Sequence, residues 1–470
     1  MATPERELAP EAPIAPTTAA RTGLPPGPAT WPPLQMLRYA RRPYGSIEEN
    51  ARQFGNCWTV RAPGQPPIVS FSDPDAIKVI FTADVDEVHG GEGQAPILGP
   101  ILGWKSVLVL DGARHRRERR LLMPPFHGER MHLYGLMMRG ITDRVIDRWP
   151  LGQPFPVHRE MQTITLDVIL RAVFGLDEGV QLARVRDTLL RALKLFDGAA
   201  AAFLAIPALQ MELGGLTPWG RFVRHRRDVD GVLRAEIARR RADGTAGRTD
   251  VLSMLVEARD EYGEPMTDQE LLDEMFTILG AGHETTAISM SWALHHVLGR
   301  PDVLERIEAE HQSVAGEGPV EPDHLGKLEY LDAVIKESAR LTPVATNILR
   351  VLKAPARIGG LDLPAGVGVS ASIYLTHHRP DLWPNPERFE PERFVGARPS
   401  PYAFLPFGGG DRRCLGAAFA TYEMKVVLAE LLVRVDLQIA PGYRMRPVLR
   451  TVTVAPSAGM PVVVEARRPG

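Results

Sequence analysis

Cysteine is almost missing from this chain: its 470 residues include two, Cys57 and Cys414. Two thiols so far apart in sequence give no disulfide framework, which excludes a disulfide-stapled secreted scaffold and fits a reducing, cytoplasmic setting. An excess of either charge is missing too. The 55 basic and 57 acidic residues leave a formal net charge of −2, which argues neither for nor against nucleic acid, and no nucleic-acid partner is expected. Long apolar runs are also lacking. The longest, from Gly198 to Leu209, is too short to span a bilayer and contains Pro207, so no transmembrane anchor is expected. The first 30 residues are rich in Pro, Ala and Thr and lack the apolar segment of a secretion signal. They read as a disordered leader, residues 1–30, ahead of one large domain, residues 31–470.

What is present is mostly helix. LYGLMMRGITDRVIDRW, ITLDVILRAVFGL and VLRAEIARRRADG carry apolar residues three and four apart, the spacing that lines one helix face. Near the front, CWTVRAPGQPPIVSFSDP reads as two β-rich runs around a Pro/Gly turn, and ARIGGLDLPAGVGVSAS gives a second hairpin signal. The expected class is mainly α (α+β), with small sheets at the edges of a helical domain and no internal repeat.

One helix is unusually long. Thr267 and Glu270 form a capping box, and nothing breaks the helical pattern before Gly299-Arg300-Pro301. That run is ~45 Å long at 1.5 Å per residue, enough to cross a domain. Its middle reads LGAGHETTA, and each glycine costs about 0.5–1 kcal/mol there relative to alanine. A helix weakened at its centre is expected either to pack closely on a neighbour or to open around something bound at its flank. The segment resembles a zinc-protease HExxH, but Ala287 stands where the second histidine is required. The pairs His295-His296 and His377-His378 lack metal-ligand spacing and receive no ligand role.

The second cysteine sits in FGGGDRRCLGAAFA. Thiolate is the form that ligates a metal or attacks carbon, and it is favoured by backbone N–H donors and by a helix N-terminus. Gly408, Gly409 and Gly410 precede Cys414, and Leu415-Gly416-Ala417-Ala418 opens a helix after it. A hydrolase nucleophile would need a partner base, whereas Arg412 and Arg413 flank this thiol.

Phe407-x-x-Gly410-x-Arg412-x-Cys414-x-Gly416 resembles the haem-binding signature of the cytochrome P-450 superfamily at every fixed position. Further motifs follow the family's order: Ala281-Gly282-His283-Glu284-Thr285-Thr286, Glu337-x-x-Arg340, and Pro391-Glu392-Arg393-Phe394. LDGARHRRERRLLMPPFHG near the front is similar to soluble bacterial members. The resemblance runs from about Trp31 to the C-terminus and implies the P-450 fold, with haem b (iron protoporphyrin IX) between the long central helix and the cysteine loop. It implies Cys414 as the iron ligand, with His115, Arg119, Ala281, Arg350, Phe407, Gly408, Arg412 and Gly416 around the cofactor. Glu284 and Thr285 stand at the family's acid–alcohol pair, which delivers protons during dioxygen cleavage. Glu337, Arg340 and Arg393 stand at a buried structural triad.

The implied activity is haem-thiolate monooxygenation of a lipophilic substrate such as a fatty acid, terpenoid or steroid-like skeleton. Two electrons would come from a separate ferredoxin or flavodoxin with its reductase, for which Arg116, Arg117 and Arg120 are candidate docking charges. A peroxide-driven peroxygenase or isomerase of the same fold, or a non-catalytic haem-binding protein, are the alternatives. Family placement points the substrate at Val88–Trp104, a glycine-bearing loop expected to act as a mobile lid, at Ala199–Leu209, at Phe276–Ala281 and at PVATNIL.

Overall fold

Apolar residues spaced for one helix face do become helices. In this computed structural model, which describes residues 21–62, 65–126, 130–175, 180–193, 210–212 and 214–468, the three periodic runs form Arg130–Ile146, Val157–Phe174 and Pro218–Asp243. The central helix spans Asp268–Leu298, 31 residues. Its capping box is made: Glu270 N donates to Thr267 Oγ1 at 3.3 Å, and Thr267 N donates to Glu270 Oε2 at 2.8 Å.

Leu271, Leu272, Met275, Leu279, Met290 and Leu294 of this helix are completely buried. Each contributes about 1.5–3 kcal/mol relative to exposure, which far outweighs the glycine penalty at the helix centre. The helix Val157–Phe174 packs along it, and Thr165 Oγ1 donates to His283 O at 2.9 Å. The central helix does not open. It is continuous through its glycines, and the hydroxyls of Thr285 and Thr286 donate back to Ala281 O at 2.6 Å and Gly282 O at 2.9 Å. Back-bonding lets a mid-helix threonine satisfy its hydroxyl without breaking the backbone ladder.

The expected hairpin is present as Cys57–Val60 paired antiparallel with Ile68–Phe71. These strands belong to a five-stranded sheet whose order continues through Gly368–Ser372 and Asn347–Leu352 to Val88–His89. The second hairpin pairs Ala356–Ile358 with Leu361–Leu363. Arg21–Thr22 adds a parallel edge to it. The leader is therefore shorter than expected. Residues 21–30 lie on the fold, with Thr59 Oγ1 donating to Pro25 O at 2.6 Å and Gln35 Nε2 to Thr30 O at 2.7 Å. Proline removes donors but leaves carbonyls, and those carbonyls satisfy neighbouring donors here. The remaining leader, residues 1–20, lies outside the described residues, as does the Ala199–Leu209 segment.

Val88–Trp104 is not a loop. Its first residues form the edge strand, and Gly91–Leu102 is a helix that tolerates Pro96 and Pro100. Its glycines serve close packing. A β-carbon at Gly91 would lie 2.5 Å from Leu110 O, and one at Gly90 would lie 2.4 Å from Arg412 Cδ. Among the described residues, no helix is long and apolar enough to cross a membrane.

Candidate active site

The two cysteines have opposite surroundings. Cys57 lies in a strand, where burial pushes its thiol pKa up to about 12 and nothing opposes that. Cys414 sits between the turn Gly410–Arg412 and the helix Ala417–Arg434. It presents accessible surface, but within a protein-walled recess, so burial raises its pKa as well. There the Gly416 N–H, Arg119 and Arg413 pull the other way by favouring thiolate. Cys414 N donates to Phe407 O at 2.9 Å and closes the loop.

The loop's glycines do less at sulfur and more in packing than the sequence implied. Gly408 and Gly410 have φ of +70° and +64°, the left-handed region that glycine adopts without penalty. A β-carbon at Gly410 would lie 2.4 Å from Phe81 O, and one at Gly409 2.3 Å from the Phe81 ring. The loop can therefore press flat against the helix Pro74–Thr82. At Gly416 a β-carbon would meet nothing within 4 Å, so its flank is open.

Cations gather beside this loop from three elements. The helix Gly112–Leu122 brings His115 and Arg119, the strand Asn347–Leu352 brings Arg350, and the loop brings Arg412. His115 is buried, and its pKa is driven down to about 3 by desolvation and then by Arg412, Arg119 and Arg350, so it stays neutral at physiological pH. Arg350 is also buried, and its pKa falls to about 10 through desolvation and the neighbouring Arg412. Neither Arg119 nor Arg350 has a carboxylate within ion-pair distance among the described residues. Burying cations without partners is costly, and a bound ligand carrying carboxylates would offset that cost.

The central helix has an open turn of its own. At its midpoint Ala281 is exposed, and a β-carbon at Gly280 would meet nothing within 4 Å. A solvent-reachable alanine in a helix otherwise flanked by core means that a recess lies against this turn. Gly282 instead touches Ile169 at an ordinary 3.5 Å. Phe276 does not line the recess: it is buried beneath Arg226, whose guanidinium lies 4.1 Å from the ring centroid.

A thiol at an open helix N-terminus, cations without carboxylate partners and a recessed central helix together match the donor set of a haem-thiolate centre. The comparisons agree. The cytochrome P-450 family model matches residues 23–462. A Mycobacterium bovis protein named as a cytochrome P-450 135B1 is 41% identical over 448 residues, covering 95% of this chain and 92% of that protein. A Mycobacterium tuberculosis protein named as a cytochrome P-450 135A1 is 36% identical, covering 93% and 94%. The structure of a cyanobacterial relative, CYP120A1 with retinoic acid bound, superposes with a TM-score of 0.82 at 26% identity, covering 95% of this chain and all of that one.

The chain belongs to the cytochrome P-450 family.

Three features of this P-450 monooxygenase qualify what the resemblance implied for its site residues. Glu337 and Arg340 are fully buried in a bidentate pair, at 2.7 and 2.8 Å, and Arg393 Nε donates to Glu337 Oε1 at 3.3 Å. Arg340 also donates to the carbonyls of His377 and Arg388, so this triad pins the irregular segment that leads to the cysteine loop. The first qualification concerns Arg412, whose guanidinium is held at 2.5 Å by Asp111 and also donates to Leu110 O.

The second concerns the docking charges. Arg117 pairs with Asp260 at 2.6 Å and with Glu118 at 2.5 Å, and Arg120 pairs with Glu261, so both are locally neutralised. Arg116 is exposed. The third concerns Glu284. Burial works to raise its pKa, but the hydrogen bond and charge of His158, the charge of His283 and the Gln162 hydrogen bond outweigh it and hold Glu284 at about 2. Gln162 Nε2 donates to Glu284 Oε2 at 2.5 Å, and His158 Nε2 and Arg450 Nη1 each lie 3.4 Å from Oε1. These contacts favour the carboxylate form of Glu284.

Sequence reasoning missed Asp111, His158, Gln162 and Arg450. Asp111 had a local signal, since it precedes the basic helix as an N-cap residue, although its side chain accepts instead from Gly91 N and Glu92 N at 2.8 and 2.7 Å. The others lie far from Glu284 in sequence and carry no motif. No group of three or more His, Cys, Asp or Glu that could hold a separate metal ion occurs among the described residues.

Proposed function

We propose that this P-450 hydroxylates or epoxidises a lipophilic substrate in the cytoplasm, with haem b ligated by the Cys414 thiolate and electrons drawn from a ferredoxin or flavodoxin with its reductase. The observation that carries this reading is the setting of Cys414, whose sulfur receives the Gly416 N–H and faces Arg119 and Arg413. When bound, haem supplies the dioxygen chemistry of the family, and the thiolate raises electron density on its iron.

The protein's own residues do the rest. Arg119 and Arg350, neither of them ion-paired among the described residues, would hold the cofactor's carboxylates, with neutral His115 as a hydrogen-bond partner. Arg412, drawn by Asp111, sets the edge of that site. Phe407 packs beside the loop, and open Gly416 leaves room for a flat ligand. The Thr285 hydroxyl, next to exposed Ala281, donates to Ala281 O, and its oxygen would accept from a water held at that turn and so position it for proton relay. Apolar Leu349 and Val351, against Gly93 of the helix Gly91–Leu102, give the substrate side an aliphatic lining.

The test is spectroscopic. Purified protein reconstituted with haem should show the red-shifted ferrous–CO band of a thiolate ligand, and Cys414→His should retain some haem but lose that band. An unchanged spectrum in the variant would remove Cys414 as the ligand.

A further inference from the structure

Glu284 and Ser291 lie seven residues apart, two turns along one flank of the central helix, and a single buried histidine bridges them. His158 comes from the first turn of the helix Val157–Phe174. Its Nδ1 is 3.2 Å from Ser291 Oγ, and its Nε2 is 3.2 Å from Arg450 Nη1 and 3.4 Å from Glu284 Oε1. The hydrogens follow from a donor count. Ser291 spends its single hydroxyl proton on Ala287 O at 2.7 Å, so it can only accept from His158. Nδ1 must therefore carry a hydrogen.

Nε2 then faces two partners with opposite demands. A guanidinium can only donate, so Arg450 requires a bare Nε2. A carboxylate can only accept, so Glu284 requires Nε2–H. Arg450 Nη1 is also 3.4 Å from Glu284 Oε1 and can neutralise whichever of the two is left without a proton partner.

We propose that His158 is the positioning residue that stores a proton for Glu284 and hands it from Nε2 to Oε1. In this step one N–H bond breaks and one O–H bond forms. Imidazolium and carboxylate become imidazole and carboxylic acid, the total charge is unchanged, and nothing is oxidised or reduced. The Arg450 contact moves from Glu284 to the bared Nε2 as the proton leaves.

This inference rests on the proposed role of Glu284 beside Thr285. It explains how a carboxyl held far below neutral pH could be protonated at all: a neighbour must supply the proton directly. Among the described residues, the other groups around His158 leave the pair as the only exchange partners. His283 Nε2 is 3.9 Å from Glu284 Oε2, beyond hydrogen-bond reach, and burial lowers its pKa. Gln162 does not titrate, and the turn Ser457–Gly459, packed near the His158 β-carbon, brings no titratable group.

Two measurements test the proposal. In haem-loaded, [15N]histidine-labelled, CO-bound ferrous protein, NMR should find neutral His158 protonated at Nδ1. The opposite tautomer would overturn the assignment. In haem-loaded enzyme driven by a surrogate ferredoxin and reductase without added substrate, hydrogen peroxide release should depend on pH. H158Q keeps a donor at the Nε2 position but cannot give it up, so peroxide release should fall about 10-fold and lose its pH dependence. E284Q should match it, with no further loss in the double variant. H158Q behaving as wild type while E284Q is slow would overturn the His158 role and leave that of Glu284 standing. Wild-type behaviour of E284Q would instead overturn the Glu284 reading.

Discussion

Asp111 Oδ1 lies 2.5 Å from Arg412 Nη2, and the two Asp111 oxygens also take the Gly91 and Glu92 N–H groups. One carboxylate thus ties together the helix Gly91–Leu102, the start of the basic helix and the cysteine loop. Both side chains are largely shielded from solvent, so the interaction is only weakly screened. Asp111→Ala leaves the largely shielded Arg412 beside Arg119 without its ion-pair partner, with only the charge of Asp411 nearby, and strands two helix-start donors. We expect a loss of about 2–4 kcal/mol in denaturant unfolding, together with weaker haem retention. Unchanged stability and haem content would show the tie to be incidental.

The Glu337–Arg340 pair is completely desolvated. Removing one partner leaves the other charged and buried, which costs about 3–5 kcal/mol. Arg340→Leu should therefore lower soluble yield and haem content together. The loss arises in the segment carrying Arg388, Glu390 and Arg393, which Arg340 and Glu337 hold through main-chain and side-chain bonds. A soluble, haem-replete Arg340→Leu protein would contradict this.

Glu284 makes a pH-dependent contribution to stability. Its folded pKa of about 2 lies below the ordinary 4.5, so the unfolded chain binds the proton more tightly. The stabilisation is then fully present above about pH 4.5 and is lost as pH falls toward 2. It amounts to about 3 kcal/mol as an upper figure. In chemical denaturation, wild type should exceed Glu284→Gln by a constant margin from pH 8 to about 5, and the margin should shrink below that. A margin that widens on acidification would give Glu284 the opposite sign.

Thr285 donates to Ala281 O at 2.6 Å, yet it sits one residue from Glu284 on the recessed turn. Thr285→Ala should still consume electron donor and oxygen. Most of the flux should emerge as hydrogen peroxide, with productive oxidation of a substrate drawn from a spectral binding screen falling about 10-fold or more. Thr285→Ser should recover most of the coupling. Full coupling in the alanine variant would take Thr285 out of proton delivery.

The sequence alone determined what depends on nearest neighbours and fixed spacings. The capping box set the start of the central helix, three- and four-residue apolar spacing set the packed helices, and the signature around Cys414 marked the family. Glu337 and Arg340 are three apart on one helix, so their meeting was legible as well. Only the tertiary structure decided the rest, because it depends on groups from distant segments. It showed that Gly409 and Gly410 serve a close approach to Phe81, and that Arg412 meets Asp111 across about 300 residues of chain. Arg117 and Arg120 are spent on acids from the loop before the central helix. The Glu284 carboxylate is favoured because His158 and Gln162 reach it from another helix. Ionisation and hydrogen-bond partners are fixed by local dielectric and three-dimensional proximity, and neither quantity is written along the chain.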